Sequence, residues 1–258
     1  MANKIKISRR REYKEQLKAY INLSKNLNAK LKRLFKKISR KASFKYSEGL
    51  MVDDIMFLEF GDELYKLLAN HYRLVIGITA SRIIKVRKKQ DNEIDTIVEE
   101  YIINNTAQKV TQISSTTRAL LATTIAAGIA EGLGSEDMGK LIQRSIAFAP
   151  YRATMISRTE THTAQNYTGS VIAKVLRFKN PVKAWVSALD DRTRSWHVRM
   201  DNKVIPENDK FEVITPISNA GSVVKYMDFC GDPNGGASNV INCRCQTQYY
   251  DEEDEILR

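Results

Sequence analysis

The chain has 258 residues, of which 43% are hydrophobic and 28% are charged. This length allows one or two domains with a substantial core, and the composition excludes a fibrous or a wholly disordered protein. Lys and Arg number 41 against 30 Asp and Glu, a formal net charge of +11. Such a balance is typical of proteins that bind nucleic acid, an acidic partner or a membrane surface.

The positive charge is concentrated in one segment. Residues 1–45 contain 16 Lys and Arg but only two acidic residues, Glu12 and Glu15, so their net charge is +14. The remaining 213 residues have a net charge of −3. A block of one sign is typical of an interaction segment, so we expect charge-dependent binding to involve these first residues.

The spacing predicts an amphipathic helix from about Arg9 to Lys41, because heptad positions recur at alternating steps of four and three residues. These positions are Tyr13, Leu17, Tyr20, Ser24, Leu27, Leu31, Leu34 and Ile38, and seven of the eight are apolar. The apolar seam is typical of a helix that packs on protein, and the surrounding basic residues would attract phosphate. The candidate DNA-binding residues are Arg9, Arg10, Arg11, Lys14, Lys18, Lys32, Arg33, Lys36, Lys37, Arg40 and Lys41, with Lys25 and Lys30 beside them.

Apolar residues continue at helical spacing over residues 49–88 and 91–133, which predicts two further long helices. Gly132 and Gly134 predict a helix end, and Ser135 predicts the N-cap of a shorter helix that reaches about Ala147. Pro150 suits the first turn of a helix through Phe178.

The pattern changes beyond Pro181. Alternation from Val182 to Ala188 predicts a strand, turns follow at residues 190–191 and 201–203, and residues 231–239 form a loop without packing residues. Residues 241–250 predict a final strand. We therefore predict an α+β fold, mainly α-helical over the N-terminal two-thirds, with a small C-terminal β-containing module.

Cysteine is sparse, with only Cys230, Cys243 and Cys245. A secreted disulfide scaffold is therefore not expected. The most apolar stretch, residues 119–130, is too short to cross a bilayer, and no apolar signal-peptide region follows the basic residues. We expect a soluble cytosolic protein without stable membrane insertion.

Two of these cysteines are candidate metal ligands. Cys243 and Cys245 are two residues apart, so on a strand they would point to the same face. With His197 they would offer the sulfur and nitrogen ligands that structural zinc prefers, and Cys230, an aspartate or water would be the fourth ligand. The alternative is that both cysteines are buried apolar residues and His197 is a hydrogen-bonded core residue.

Charged residues near the first predicted strand suggest a hydrogen-bond network that would fix the shape of the module. An enzymatic alternative makes His197 a general base beside Asp190 in a metal-dependent hydrolase or nuclease. With three histidines in the chain and no phosphate-binding glycine loop, nucleophile elbow or helical metalloprotease motif, we predict no enzyme activity. The proposed network comprises Arg158, Glu160, Trp185, Asp190, Asp191, Arg192, Arg194 and His197.

Five motifs between Ala119 and Tyr250 resemble, in order and spacing, the Mu F-like phage head-morphogenesis family, the minor head proteins of tailed phages. A minor departure is that Asn202 and Lys203 stand where the family usually has a glycine turn. The motifs are M-I-S-R-T-E-T at Met155–Thr161 with Asn166 and Gly169, K-A-W at Lys183–Trp185, D-D-R-T-R-S-W-H at Asp190–His197, M-D-N-K-V-I-P at Met200–Pro206 with Phe211, and D-P-N-G-G-A-S-N-V-I-N-C-R-C at Asp232–Cys245.

This resemblance implies a domain over residues 150–250, formed by a helix and a small β module. The complete division is then a basic helical arm at 1–46, a helical body at 47–149, the head-morphogenesis domain at 150–250 and an acidic tail at 251–258. The first hundred residues match the family only in being helical and charged.

The resemblance further implies a non-enzymatic virion component inside the capsid near the portal, present in the host cytoplasm during assembly. It would act in head assembly and in DNA packaging or ejection. Its expected partners are the portal protein, the major capsid or scaffolding protein, and non-specifically bound double-stranded DNA. Besides the hydrolase hypothesis, a membrane-active ejection protein that uses the amphipathic arm stays open as an alternative.

Overall fold

Helices account for most of the first 176 residues in the computed structural model, which describes residues 2–50, 52–87, 94–176, 179–217 and 221–251. Strands occur only beyond residue 180 in these described ranges, so the predicted α+β class is confirmed. The long helices are α1 (Ala2–Ser47), α2 (Asp54–Arg87), α3 (Ile94–Ala130), α4 (Ser135–Arg144) and α5 (Pro150–Leu176), with a 3-10 turn at Ile146–Phe148.

The chain divides into two compact units. Unit 1 contains Met1–Leu23, Leu74–Val98 and Arg158–Arg258, and unit 2 contains Ser24–Arg73 and Glu99–Ser157. The domain boundaries predicted after residues 46 and 149 therefore fall inside unit 2 rather than between units. The boundaries between the units instead fall within helices, after Leu23 of α1 and after Ser157 of α5.

The helix ends follow local signals, with one exception. Pro150 opens α5 as predicted, and Gly132 ends α3 with a φ of +70°, which glycine adopts without steric cost. The N-cap of α4 is Gly134 rather than Ser135, and α4 ends at Arg144 rather than near Ala147. Ser145 stops it, because its backbone is extended and its hydroxyl accepts a hydrogen bond from the Ala147 amide at 3.2 Å.

The core of unit 2 contains the part of the apolar seam of α1 that follows residue 23. Leu27, Leu31 and Ile38 are buried, and the Phe35 ring lies 6.1 Å from Phe60 and 6.2 Å from Phe148. The seam from Leu27 to Ile38 is thus a packing surface within unit 2, whereas the buried seam residues Tyr13 and Tyr20 belong to unit 1.

One buried arginine joins three segments of unit 2. Arg152 donates hydrogen bonds to Thr117 Oγ1 at 2.8 Å, to the Ala147 carbonyl at 2.7 Å and to the Ile113 carbonyl at 3.1 Å. Its guanidinium also lies over the Phe35 ring at 5.5 Å. Three acceptors and an aromatic face offset the cost of burying this cation.

Unit 1 contains two small antiparallel sheets. The first has the order β2-β1-β5, and the second pairs β3 with β4. Their strands are β1 (Pro181–Val186), β2 (Val204–Pro206), β3 (Phe211–Ile217), β4 (Gly221–Met227) and β5 (Gln246–Asp251), with short helices α6 (Ser195–Val198) and α7 (Ala237–Val240) and a 3-10 turn at Pro233–Gly235.

Several expectations for this module need correction. The strand predicted to reach Ala188 ends at Val186, and the final strand begins at Gln246 instead of Ile241. The predicted loop at 231–239 contains the 3-10 turn and the start of α7, including the fully buried Asn239. Strand β1 is central in its sheet, so it is buried on both faces rather than alternating.

Lys183 shows the consequence of a central strand. Its side chain is buried, its ammonium group donates to the Asp228 carbonyl at 2.9 Å, and it lies 5.5 Å from the centre of the Phe211 ring. Burial lowers the pKa of Lys183 below its ordinary value. The carbonyl and the aromatic ring stabilise the ammonium group, which burial has removed from water.

Three expectations fall partly outside the described residues. These are the helix end predicted at Phe178, the ends of the helices near residues 88 and 91, and the predicted acidic tail beyond Asp251. In the ranges that the structure does describe, no helix is both long enough and apolar enough to cross a membrane.

Candidate functional site

Three metal-ligating side chains converge in unit 1. His197 lies in the short helix α6, and Cys243 and Cys245 lie between α7 and β5. The His197 Nδ1 atom is 3.6 Å from Cys243 Sγ and 3.5 Å from Cys245 Sγ, and all three ligand atoms lie within 4.8 Å of one another. All three residues are buried.

The cysteines share a side for a different reason than the sequence suggested. They do not lie on a strand but follow a turn in which Asn242 adopts a φ of +57° and the Cys243 amide donates to the Val240 carbonyl at 3.2 Å. Asparagine adopts this left-handed conformation more readily than most residues. The turn directs both sulfur atoms toward His197.

Asn239 determines which nitrogen of His197 faces the sulfurs. Its Oδ1 atom accepts from Trp196 Nε1 at 2.8 Å and lies 3.1 Å from His197 Nε2, while its Nδ2 atom donates to Thr215 Oγ1 at 2.8 Å. These contacts leave only one orientation of the amide, so His197 Nε2 must donate. In the neutral ring the Nδ1 lone pair then points to Cys243 and Cys245.

The two thiols differ electrostatically. The pKa of Cys243 is raised well above its ordinary value, first by its hydrogen bond with Cys245 and then by burial. Burial would by itself raise the pKa of Cys245, but its hydrogen bond with Cys243 is the first of the contacts that lower it well below its usual range.

Cys230 does not join this group. It is buried in the same core as Trp185 and Met227, and its amide donates to Thr247 Oγ1 at 2.8 Å. Among the described residues, the converging donors are His197, Cys243 and Cys245. A cavity of about 10 Å³ borders all three, and such a volume holds about one water molecule.

Asp190 pairs with an arginine that the sequence analysis did not identify. Both Asp190 carboxylate oxygens accept from Arg244, one of them at 2.6 Å, and Asp190 Oδ1 also accepts from the Thr193 hydroxyl at 3.0 Å. Hydrogen bonding from Arg244 is the main reason that the pKa of Asp190 lies well below its usual range. Because both of its oxygens bind Arg244, Asp190 is not arranged to support His197 as a general base.

Only part of the proposed network is assembled. Arg192 approaches Asp190 at 3.8 Å and the exposed Asp191 at 4.0 Å, and Arg194 donates to the Ile241 carbonyl at 2.6 Å. Trp185 is instead a core residue, with its ring centre 5.3 Å from that of Phe211. A hydrogen bond joins this region to helix α5, because the Asn242 amide donates to the Thr159 hydroxyl at 3.1 Å.

Arg158 and Glu160 flank Thr159 on α5 but occupy different environments. Arg158 is exposed, whereas Glu160 is buried. Thr159, which the sequence analysis passed over, joins α5 to the turn at Asn242. Successive residues of a helix are rotated by about 100°, so these three side chains face different directions.

Two of the candidate DNA-binding residues contact the C-terminal module of unit 1. Arg9 is buried, its guanidinium donates to the Tyr250 hydroxyl and lies over the Tyr250 ring at 4.8 Å, and its carbonyl accepts from Gln248 at 2.9 Å. Arg10 donates to the Ser187 carbonyl and to Asp201, both at 2.5 Å. These two guanidinium groups are bound within the protein.

The remaining basic residues of α1 form two sets. In unit 1, Arg11, Lys14 and Lys18 are exposed. In unit 2, three lysines pair with carboxylates of the following segment, whereas Lys25, Lys30, Lys32, Arg33, Lys36 and Arg40 are exposed and make no ion pair within the described part of the chain. The ion pairs are Lys37 with Glu63 at 2.6 Å, Lys41 with Glu59, and Lys45 with Asp53 at 2.9 Å.

Comparison with known proteins confirms the resemblance that the C-terminal motifs indicated. The chain is 28% identical over 130 residues to the minor head protein GP7 of Bacillus phage SPP1, a match that covers 50% of this chain and 39% of that protein. The chain thus matches well under two-thirds of the length of this relative. No solved structure matches the chain significantly.

The family comparison covers the end of α3, helices α4 and α5 and most of the β-containing module. Residues 119–248 match the family described as Phage Mu protein F like protein, and these residues include His197, Cys243 and Cys245. Because this match extends over half of the chain, the chain belongs to the family of Phage Mu protein F like proteins.

Proposed function

We propose that this chain is a non-enzymatic minor head protein of a tailed phage, located inside the capsid near the portal and present in the host cytoplasm during assembly. Its family and the name of its relative from phage SPP1 support this proposal. Its partners would be the portal protein and the major capsid or scaffolding protein. Its role would be in head assembly and in DNA packaging or ejection.

The exposed basic face of α1 in unit 2 is the observation that supports DNA contact. Lys25, Lys32, Lys36 and Arg40 are exposed and differ by seven, four and four positions. At 3.6 residues per turn they lie within about 80° of one another and extend over about 22 Å of helix. A stripe of this kind can meet several phosphates of one duplex without reading its sequence.

The ion pairs separate the candidate DNA-binding residues of α1 into lysines that are paired and lysines that are unpaired within the described ranges. Lys37, Lys41 and Lys45 face Glu63, Glu59 and Asp53, so their charges are largely compensated before any partner arrives. In contrast, Lys25, Lys32 and Lys36 form no ion pair with described residues. We therefore assign DNA contact to the exposed stripe, and to Arg11, Lys14 and Lys18 of unit 1, rather than to Arg9, Arg10, Lys37 or Lys41.

Two triple variants of the full chain test this assignment, because each removes three positive charges from the same helix. In the first, Lys25, Lys32 and Lys36 become Gln; in the second, Lys37, Lys41 and Lys45 become Gln. Binding to duplex DNA is measured over a range of salt concentrations. We expect the first variant to reduce the slope of log K against log salt by about 2.7, or about 0.9 for each phosphate that is no longer neutralised.

The second variant controls for net charge, and we expect it to change the slope by less than about 1. Equal losses in both variants would show that overall charge rather than the stripe determines binding. An unchanged slope in the first variant would refute DNA contact by this face. Circular dichroism of both proteins verifies that the helices are intact.

Portal association is tested separately. Portal protein purified from infected cells is expected to carry this chain with it, and mature heads opened by chelation should release it. If heads assemble but the chain is found neither with the purified portal protein nor in the material released from opened heads, a place in the virion is contradicted.

A further inference from the structure

We infer that His197, Cys243 and Cys245 bind one zinc ion that joins α6 to the segment before β5. The site lies in unit 1 and is independent of the DNA-binding stripe of unit 2. Its ligand atoms are His197 Nδ1 and the two cysteine sulfurs. Two thiolates and one imidazole form a donor set that zinc prefers over the hard cations magnesium and calcium.

The distances match those of a tetrahedral centre. With Zn–S bonds of about 2.3 Å and a Zn–N bond of about 2.0–2.1 Å, tetrahedral angles place a ligand nitrogen about 3.6 Å from each ligand sulfur. The observed Nδ1–Sγ distances are 3.6 Å to Cys243 and 3.5 Å to Cys245. Both nitrogen–sulfur distances therefore suit a tetrahedral centre, and the three donor atoms, all within 4.8 Å of one another, are within reach of one ion.

A hydrogen bond to His197 accounts for the position of only one of the two sulfur atoms. The single Nδ1 lone pair of His197 can accept a hydrogen bond from one thiol, although two sulfurs lie at almost equal distances from it. A metal ion placed between the three atoms would be bound by all of them. Convergence of two sulfurs on one nitrogen is thus better explained by a shared cation than by packing.

Asn239 supplies the outer support that a histidine ligand needs. By accepting from Nε2 it keeps the Nδ1 lone pair directed at the sulfurs, and its own amide is held by Trp196, Thr215 and the Gly235 carbonyl. Partners of this kind orient metal-bound histidines in many sites. Asn239 is therefore a positioning residue for the metal.

Among the described residues, no fourth protein ligand converges on the three donors. Cys230 is not among the converging donors, and Asp190 is held by Arg244. The cavity that borders the three ligands has a volume of about 10 Å³, which suits one water molecule. We assign a water as the fourth ligand.

Metal analysis of the full chain tests this inference. After removal of metal with a chelator and titration with Zn²⁺, we expect one tightly bound equivalent per chain. Co²⁺ in place of Zn²⁺ should give a thiolate-to-cobalt charge-transfer band and the strong visible bands of a tetrahedral ion. The cobalt spectrum needs no variant, so it reports on the site even if a substitution prevents folding.

Three serine variants locate the ligands. Cys243→Ser and Cys245→Ser should each lose the charge-transfer intensity of one thiolate and bind Zn²⁺ at least about tenfold more weakly, while Cys230→Ser, a buried cysteine of the same core, should keep both stoichiometry and spectrum. Folded wild-type protein that binds no equivalent of Zn²⁺, or a Co²⁺ spectrum without thiolate bands, would overturn the inference. So would a Cys230→Ser variant that loses the metal while the other two retain it.

Discussion

The side-chain amide of Asn239 determines which nitrogen of His197 faces the cysteines. It has no charge and does not touch the sulfur atoms, yet its four hydrogen bonds define both its own orientation and the tautomer of the imidazole. Residue type alone does not reveal this role. The role depends on α6, α7 and β3 meeting at one point.

We predict that Asn239→Ala lowers zinc affinity by about 10- to 100-fold, because the imidazole loses the acceptor that fixes its orientation. Competition with a chromophoric chelator measures the affinity. The stability of the metal-free variant, measured in the presence of chelator, separates this effect from a general loss of packing. An unchanged affinity would remove Asn239 from the metal site.

Two glycines allow the cost of backbone strain to be measured with and without a steric clash of the added Cβ. Gly231 and Gly221 both have a φ of +84°, but a Cβ at Gly231 would lie 2.5 Å from His162 Nδ1, whereas a Cβ at Gly221 would have no described residue within 4 Å. Gly221→Ala should therefore cost only about 1–2 kcal/mol of backbone strain. Gly231→Ala should cost at least about 1 kcal/mol more, because the buried His162 must shift.

Chemical denaturation of both alanine variants measures this difference in the free energy of unfolding. Equal losses would mean that His162 moves aside without cost. The two positions have the same φ, so each serves as the control for the other.

At the scale of the secondary-structure elements, α1 differs most from its expected role. Its sequence predicts a basic arm attached to an independent body, but Leu27, Leu31, Phe35 and Ile38 lie in the core of unit 2. The exposed basic face and the buried apolar face belong to one helix. Its binding surface therefore cannot be removed without removing part of the core.

Deletion of residues 1–45 should consequently prevent folding of unit 2 rather than leave a soluble body. Each buried leucine or phenylalanine that is removed costs about 2–5 kcal/mol, and together they exceed the typical stability of about 5–15 kcal/mol for a domain. Solubility, circular dichroism and thermal melting of the truncated protein check this. A cooperative melt near that of the full chain would contradict the prediction.

The helices were the part of the fold that the sequence could predict, because their apolar periodicity is continuous and local. Pro150 and Gly132 marked their ends for stereochemical reasons that hold in any protein. Strands β3 and β4 had no such signal. Their outer face exposes Ile214, Val224 and Tyr226, so polar and apolar residues do not alternate, and Pro216 argues against a strand.

The candidate site was predictable only as far as residue types allow. Cysteine and histidine are recognisable metal ligands, so Cys243, Cys245 and His197 could be grouped before their geometry was known. Arg244 and Thr159 could not be found in this way, because ordinary arginines and threonines acquire such roles through tertiary contacts. The turn at Asn242 depends on a left-handed backbone that a strand-like sequence conceals.

On the scale of the whole molecule, each unit contains a buried histidine that disfavours a proton. In unit 2, burial is the main cause that lowers the pKa of His71 to about 4, and the charge of Lys30 adds to it. In unit 1, burial likewise lowers the pKa of His162. An unfolded chain would instead protonate both near pH 6.5, the ordinary value for histidine.

The free energy of unfolding should therefore fall as the pH is lowered. Between about pH 6.5 and about pH 4 the unfolded chain binds protons that the folded chain does not, so stability is greatest above this range and is lost on acidification through it. For His71 alone the loss between about pH 7 and about pH 5 is about 2 kcal/mol.

Chemical denaturation at the two pH values measures this loss, and a His71→Phe variant isolates its share. The variant should be less sensitive to acid than the wild-type protein by about the same amount. Equal acid sensitivity in both proteins would show that His71 is protonated in the folded state.

The contacts of α1 with the C-terminal module also have a kinetic consequence. Arg9 meets Tyr250 and Tyr13 meets the carbonyl of Arg244, pairs that are 241 and 231 positions apart along the chain. A ribosome adds about 5–20 residues per second, so the partner of Arg9 emerges roughly ten seconds or more after Arg9 itself. Contacts between such distant positions also require costly loop closure and slow the search for the native state. The basic helix therefore spends its first seconds outside the tunnel with the seam at Tyr13 and Tyr20 uncovered, and unit 1 is completed only after translation has passed β5.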